Sequence, residues 1–422
     1  MGLLTFLDII IGIIGTLVMV YQVVCIVIGA FAKTVDYPDA PFDKNYCVLI
    51  SARNEAKVIG NLINCIHHQT YPEEKIDIWV VADNCDDNTA QLCRDMGCHV
   101  VERFNKEQIG KGYALTYLLD TIRESGASEK YDAYMVFDAD NLLDKHYVEE
   151  MNKAFHAGFQ ALTSYRNSVN FSENWVSSGS ALWFVREGRF LNGTRHVLGT
   201  SCHVGGTGFL FSRKIMERNK GWKFHLLTED LEFTMDTILH GDTIGYCGKA
   251  MLYDEQPVTF AQSWRQRVRW SKGFLQVFRY YGLELIKYAI RERDFSAVDL
   301  SLMICPLTLV TIIRIVLGLI FAVCGFVTWQ SQLGIMRVWG LALVESLLTL
   351  MLLAAITSIF ERDKIGATNR ELVAYCLSFP VYMLSYVPIS FVAIFSKPEW
   401  KPIAHQGASK EVVAEEMGEG DE

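Results

Sequence analysis

Four long apolar runs constrain this chain more than any other feature. Leu3–Ala32, Ser301–Thr328, Val338–Phe360 and Leu372–Phe395 are nearly free of charge, and each exceeds the ~20 residues a helix needs to cross a bilayer. The first carries only Asp8 and lacks both a basic leading segment and an Ala-x-Ala cleavage site, so it reads as a retained anchor. The runs divide the chain into an anchor at 1–33, a mixed-polarity domain at 45–260, an amphipathic helix at 261–295, about three transmembrane helices at 300–396 and a tail at 397–422. Lys33 and Lys44 follow the first run, and Glu361–Lys364 with Arg370 separate the last two. By the excess of positive charge on cytoplasmic loops, the large domain faces the cytoplasm of a multi-pass plasma-membrane protein. The stretch 45–295 between the first two apolar runs, roughly 250 residues, can bury a full core.

Charge and cysteines narrow the partners. A net charge of −9 argues against nucleic acid. Eleven cysteines without a Cys-x-x-Cys spacing read as reduced residues rather than a disulfide or zinc framework.

Within the large domain, short apolar strands alternate with helical patterns. Tyr46–Ile50, Ile76–Val81, His99–Glu102 and Ala133–Phe137 are the strands, and the alternation predicts a mostly parallel α/β sheet with helices on both faces. Polar clusters follow three of them at 51–55, 83–87 and 138–140. Ligands of such sheets bind beyond the carboxyl ends of the strands, so three ends converge on one ligand. Further on, Trp175–Phe190 predicts a helix and His203–Phe211 a glycine-rich turn entering a strand. From Trp264 to Arg293, Phe274, Phe278, Tyr281, Leu285 and Tyr288 share one face, flanked by Arg267, Arg279, Lys287 and Arg291, which predicts a helix along the membrane surface.

Each candidate residue has a chemical and a purely structural reading. Asp138 and Asp140, one residue apart after a buried strand, can hold a divalent cation, or can simply shape a turn. Asp83 can accept hydrogen bonds from a nucleobase imide, or cap a helix. Lys111, between Gly110 and Gly112, offers a cation to phosphate in a turn too short for a Walker motif. In Thr228-Glu229-Asp230 the last carboxylate can take a proton from a hydroxyl, and the triplet can also cap a helix. Gln266, Arg269 and Trp270 can grip a diphosphate and stack on a sugar, or anchor the helix at a membrane interface.

In this order the residues Ala52-Arg53-Asn54-Glu55, Asp83, Lys111, Asp138-x-Asp140, Thr228-Glu229-Asp230 and Gln266-x-x-Arg269-Trp270 resemble the family 2 inverting glycosyltransferases of GT-A fold. The membrane-embedded synthases of cellulose, hyaluronan, chitin oligosaccharides and poly-N-acetylglucosamine are the most similar group. The resemblance covers about residues 45–400. It implies a Rossmann-like GT-A domain inserted between transmembrane helices, a UDP-sugar donor, and Mg²⁺ or Mn²⁺ as cofactor. Asp83 would bind uracil, while Asp138 and Asp140 would hold the metal and diphosphate. Asp230 would be the base, Arg269 would stabilise departing UDP, and Trp270 would carry the acceptor sugar. Ala52, Asn54, Glu55, Lys111, Gly206, Thr207, Glu229 and Gln266 would complete the substrate site. No gating-loop motif of the cellulose-synthase kind follows Trp270.

The expected reaction is transfer to a growing polysaccharide chain, with UDP-N-acetylglucosamine as the expected donor and membrane lipids as surroundings. The alternative is a single transfer to a lipid, as in ceramide glucosyltransferases, which the pattern also resembles. A third reading, a catalytically inert sugar-nucleotide sensor, leaves Asp230 and both metal carboxylates without a task. Arg314 and Glu345 lie at a similar depth in adjacent runs, about 20 Å from the cytoplasmic ends, and are expected to meet. Ser396–His405, with Trp400, resembles a tail seen after the last span of some relatives. If that tail meets the cytoplasmic domain, Leu372–Phe395, broken by Pro380 and Pro388, is expected to be interfacial or re-entrant.

Overall fold

The computed structural model describes residues 20–306 and 329–398, besides the isolated positions 13 and 17. The expectations for Arg314, Trp400 and most of the run Ser301–Thr328 lie outside the described residues. So does the expected meeting of Arg314 with Glu345.

One eight-stranded sheet organises the domain. Its strands are β1 (Tyr46–Ala52), β2 (Ile76–Asp83), β3 (His99–Arg103), β4 (Ala133–Asp138), β5 (Leu142–Leu143), β6 (Ala161–Ser168), β7 (Phe209–Ser212) and β8 (Ile244–Asp254), in the order β3-β2-β1-β4-β7-β6-β8-β5. From β3 to β4 every pair is parallel, as the alternation predicts. Beyond β4 the sheet is mixed: β7 runs antiparallel to both β4 and β6, β6 and β8 are parallel, and β5 is antiparallel to β8. The sheet is therefore wholly parallel from β3 to β4 and mixed beyond, with parallel pairs in the majority. A four-residue apolar strand such as β7 carries no mark of its direction.

Register matters more for function than order does. Ala52 pairs with Ala82, and Ser51 with both Val81 and Asp138. The polar residues that end β1, β2 and β4 therefore emerge at one level of one edge. Both faces of these strands are buried, one against a cluster built on Leu49, Val81 and Val136, the other against one built on Val48, Val80 and Met135. Continuous apolar strands are what a doubly covered parallel sheet requires.

Helices cover the sheet and extend from it. α1 (Val20–Phe31) precedes β1, followed by α2 (Ile59–His67), α3 (Thr89–Asp95), α4 (Lys111–Glu124), α5 (Tyr147–His156) and α6 (Trp175–Arg186). α6 continues through a π-helical turn at Glu187–Asn192 into α7 (Gly193–Val197). Then come α8 (Arg213–Asn219), α9 (Glu229–Leu239), α10 (Phe260–Glu292), α11 (Phe295–Ile304), α12 (Trp329–Phe360), α13 (Asn369–Leu384) and α14 (Tyr386–Phe395). α1 lies so close to the π-helical turn that a Cβ on Gly29 would stand 2.8 Å from the Phe190 ring. The Thr194 hydroxyl donates to the Cys25 carbonyl, 2.9 Å away, in the same contact.

The helix expected along the membrane surface is α10. Thr259 caps its start, and Arg293, left-handed at φ 55°, ends it. Its Val277, Leu285 and Ala289 pack with Leu231, Met235 and Ile238 of α9 and with Ala297 and Leu300 of α11. Its apolar face is therefore occupied by protein. The run Leu372–Phe395 becomes α13 and α14, with the break at Ser385, next to the Leu384 carbonyl from which Pro388 removes the donor, while Pro380 lies inside α13 without ending it. Pro388 is accommodated in the first turn of α14, where a missing N–H has no intrahelical acceptor to lose. Arg267, fully buried on α10, clips the break: Nη1 donates to the Tyr382 carbonyl at 3.0 Å and to the Ser385 hydroxyl at 2.7 Å. Its guanidinium also lies 4.1 Å from the centre of the Tyr382 ring. The exposed carbonyl at a helix end thus finds a charged donor, and the basic helix is fixed to the C-terminal pair.

Candidate active site

The edge where β1, β2 and β4 end opens on a cavity of about 1870 Å³. Ala52, Glu55, Asp83, Lys111, Asp138, Asp140, Gly206, Glu229, Asp230, Gln266, Arg269 and Trp270 all line it. The structure thus gathers residues spread over more than two hundred positions of sequence. Asn54 and Thr207 stand one step behind. Asn54, left-handed at φ 60°, accepts from the Asp86 amide at 2.9 Å and so ties the β1 loop to the β2 loop. The Thr207 hydroxyl accepts from the Asp138 amide at 3.0 Å and fixes the turn that carries the two aspartates.

Asp83 is buried and paired: Arg103, at the end of β3, donates to its Oδ1 at 2.6 Å, and both side chains are under a tenth exposed. A carboxylate buried at a strand end keeps its charge only with such a partner. The pairing leaves it poised to accept from a donor such as the imide of a base.

Lys111 opens α4, where Gly110 takes φ 135° to admit it. Its ammonium pairs with Asp138 and donates to the Gly206 carbonyl at 2.8 Å, so it joins the β4 turn to the glycine loop. Gly112 must be glycine, since a Cβ there would come within 2.2 Å of the Phe224 carbonyl oxygen. Among the described residues no three His, Cys, Asp or Glu side chains group to cage a metal. Asp138 and Asp140 instead suit a cation that takes one or two carboxylates and completes its shell with phosphate oxygens and water, as Mg²⁺ does. Both line the cavity, and the Asp138 side chain is 40% exposed.

Glu229 and Asp230 begin α9, whose aligned peptides favour negative charge at that end. Burial opposes this and wins. It raises the Asp230 carboxyl, and with the Asp230 charge beside it raises Glu229 to about 7. Lys111 lies near both and offsets part of the rise, and Arg269 does the same for Glu229. A Cβ on Gly206 would stand 3.8 Å from Asp230 Oδ2, so the glycine leaves the approach to this oxygen open. Arg269 Nη1 donates to the Leu227 carbonyl at 3.3 Å, just before the acidic triplet. Trp270 meets the edge of Phe184, with centroids 6.0 Å apart. A carboxylate held above its ordinary pKa and facing open space is what a general base near neutral pH requires.

Four residues escape a reading of the sequence. Arg103 is one. Arg166 on β6 donates through Nε to Asp254 at 2.7 Å and through Nη1 to the Gly205 carbonyl at 2.9 Å, and it lines the cavity with Asp254. Glu187, at the start of the π-helical turn, also lines it. Asp254 had a usable signal, being a polar end to an apolar strand like Asp83 and Asp138.

Residues 44–273 match the family model described as "Glycosyltransferase like family 2", more than half of the chain. The chain belongs to that family. It is 27% identical over 256 residues to a beta-monoglucosyldiacylglycerol synthase of Synechocystis sp., covering 59% of this chain and 50% of the relative. It is 23% identical over 234 residues to a poly-beta-1,6-N-acetyl-D-glucosamine synthase of Staphylococcus epidermidis, covering 53% of each. The chain spans about half the length of these curated relatives. In fold it is similar to a mannosyltransferase of Pyrobaculum calidifontis solved with GDP-Man and Mn²⁺, at a TM-score of 0.50 and 14% identity, over 93% of this chain and 100% of that one. The family 2 domain is thus a mixed α/β, GT-A-like sheet, and the family is one of glycosyltransferases.

Proposed function

We propose that this glycosyltransferase moves one sugar from a UDP-sugar, with inversion, to a hydroxyl of a membrane lipid. Asp83 would take the base. Lys111, with a Mg²⁺ or Mn²⁺ on Asp138 and Asp140, would take the diphosphate, and that cation would supply charge to the leaving group. Asp230 would accept the proton of the acceptor hydroxyl as its oxygen attacks the anomeric carbon. The bond from that carbon to the phosphate oxygen breaks in the same step, and UDP departs with the electron pair beside Arg269. One displacement inverts the centre.

The wall of the cavity carries the choice of acceptor. Opposite the charged rim, Val23 and Ile26 of α1, Leu302 of α11, Leu353 and Ile356 of α12 and Val387 of α14 continue the same space. An aliphatic wall suits acyl chains, whereas a growing glycan presents hydroxyls that such a wall leaves unpaired. This favours a lipid over the polysaccharide that the sequence leads one to expect.

The outer surface agrees with a membrane setting. Two helical segments, Leu343–Phe360 and Asn369–Phe395, are long and apolar enough to cross a bilayer. Leu341, Val344, Leu348, Leu352 and Ile359 of α12 recur at helical spacing and are more than half exposed. A continuous apolar stripe of this kind calls for lipid or a partner to cover it. In this reading the catalytic domain faces the cytoplasm at the plasma membrane.

Product analysis tests the acceptor. Purified protein in vesicles of diacylglycerol and ceramide, supplied with radiolabelled UDP-glucose or UDP-N-acetylglucosamine, is expected to label a chloroform-soluble product heavier by one sugar. A water-soluble ladder of rising length would return the assignment to polysaccharide synthesis.

A further inference from the structure

We propose that Glu187 is a substrate-binding residue that grips a hydroxyl of the acceptor, held in place by a buried chain of side chains from His203 to Asp299. The proposal rests on the cavity being the sugar-transfer site.

The chain begins at Asp299 on α11. Arg195 donates to it through Nε at 2.6 Å and Nη2 at 3.2 Å, and both side chains are 2% exposed. The remaining arm of the guanidinium, Nη1, meets His203 Nδ1 at 2.8 Å. Arginine can only donate, so Nδ1 accepts and the imidazole proton sits on Nε2. Nε2 lies 3.1 Å from Glu187 Oε1 and donates to it. The direction of every bond in the row is thereby fixed. The His203 backbone is held as well, because Asn192 accepts from its amide and donates to its carbonyl, each at 3.2 Å.

The imidazole is thus held at both nitrogens. Its effect is to fix a carboxylate. Glu187 lines the cavity and gives one oxygen to His203; among the described residues no protein group takes Oε2. Backbone geometry repeats the emphasis, since Glu187 opens a π-helical turn, a distortion that proteins often keep at functional sites.

The neighbours say which ligand group the free oxygen meets. Gly205 and Gly206 are consecutive; a Cβ on the first would stand 3.3 Å from Glu187 Oε1, and on the second 3.8 Å from Asp230 Oδ2. The two carboxylates thus flank one strip of bare backbone. Phe184, one turn before Glu187 on the same helix, touches the Trp270 ring on which an acceptor can lie. A fixed carboxylate beside the base accepts from a hydroxyl of the molecule being deprotonated, next to the one that reacts. The acceptor class is then a polyol headgroup or sugar carrying at least two hydroxyls within reach of each other, rather than a lone alcohol.

Kinetics of the full-length enzyme in vesicles separate this role from others. Glu187→Gln is expected to lower kcat/KM for a polyol-headed lipid acceptor by about 10- to 100-fold, the loss of a charged hydrogen bond. The loss should fall on the acceptor, with the donor KM and the slow hydrolysis of UDP-sugar by water changing far less. A mono-alcohol acceptor should lose much less than a polyol. His203→Gln can accept from Arg195 and donate to Glu187, so it should retain acceptor kinetics, while His203→Leu should copy Glu187→Gln. Parent-like kinetics in Glu187→Gln would overturn the assignment. So would a loss of hydrolysis equal to the loss of transfer, which would make Glu187 a base or a donor contact. Should Glu187→Gln fold poorly, Glu187→Asp keeps the charge; a specific fall in acceptor affinity supports the grip, and unchanged affinity overturns it. A parent that releases no UDP at all overturns the transfer reading itself.

Discussion

Asp230→Asn is expected to lower sugar transfer by about 10²- to 10⁴-fold while leaving donor binding nearly unchanged. The amide is isosteric with the carboxylate but cannot take the proton of the acceptor hydroxyl. Because Asp230 begins α9, the exchange leaves the helix and its packing against α10 intact. The pH dependence follows from the same burial. Activity needs Asp230 ionised, and burial raises its pKa while placing Glu229 at about 7. Transfer should therefore rise with pH along an acid limb displaced above the ordinary carboxylate range. In Asp230→Asn the charge that helps hold Glu229 up is gone, so the Glu229 carboxyl should titrate below about 7. A Glu229 that titrates alike in parent and variant, followed by infrared spectroscopy of its carboxyl, would contradict the pairing. Transfer rates of the parent across pH, with donor saturating, locate the acid limb.

Arg103→Met should cost about 3–5 kcal/mol of stability, because it strips the cation from a carboxylate that stays buried. Asp83 is 5% exposed and receives Arg103 at 2.6 Å. Asn84 also donates to it, at 3.1 Å, but carries no charge to replace the one removed. Asp83 would also lose the contact that holds it in place for the base, so the donor KM should rise together with the loss of stability. Adding Asp83→Asn is expected to restore most of the stability, since a neutral amide needs no cation, but not the donor affinity. Thermal denaturation with and without UDP, on the single and double variants, separates fold from binding. Equal stability of Arg103→Met and the parent would show the pair to be incidental.

What the sequence discloses and what it conceals divide along physical lines. The parallel half of the sheet is legible because strands buried on both faces are continuous apolar runs. A change from apolar to acidic then marks where each strand leaves the core, as at Asp83 and Asp138. Lys111 is legible through the glycines around it, and Asp230 through its place in an acidic triplet at a helix start. Arg166 and Asp254 are joined over 88 positions, and no local pattern announces an ion pair of that range. Glu187 is hidden for another reason: it lies inside the helix read at Trp175–Phe190, and a helical pattern does not mark where the helix loosens into a π-helical turn. The prolines differ in effect: Pro380 lies inside α13 without ending it, whereas the break at Ser385 follows the Leu384 carbonyl from which Pro388 withholds a donor, and Arg267 supplies donors to the Tyr382 carbonyl and the Ser385 hydroxyl there.

UDP release decides whether this site transfers sugar. Purified full-length protein in lipid vesicles with Mg²⁺ or Mn²⁺ would be screened over UDP-sugars, with Asp230→Asn alongside. Release is expected from one donor well above the others, increased by lipid acceptor and lowered at least 100-fold in the variant. Release from no donor, with any lipid or oligosaccharide acceptor, would contradict sugar transfer at this site.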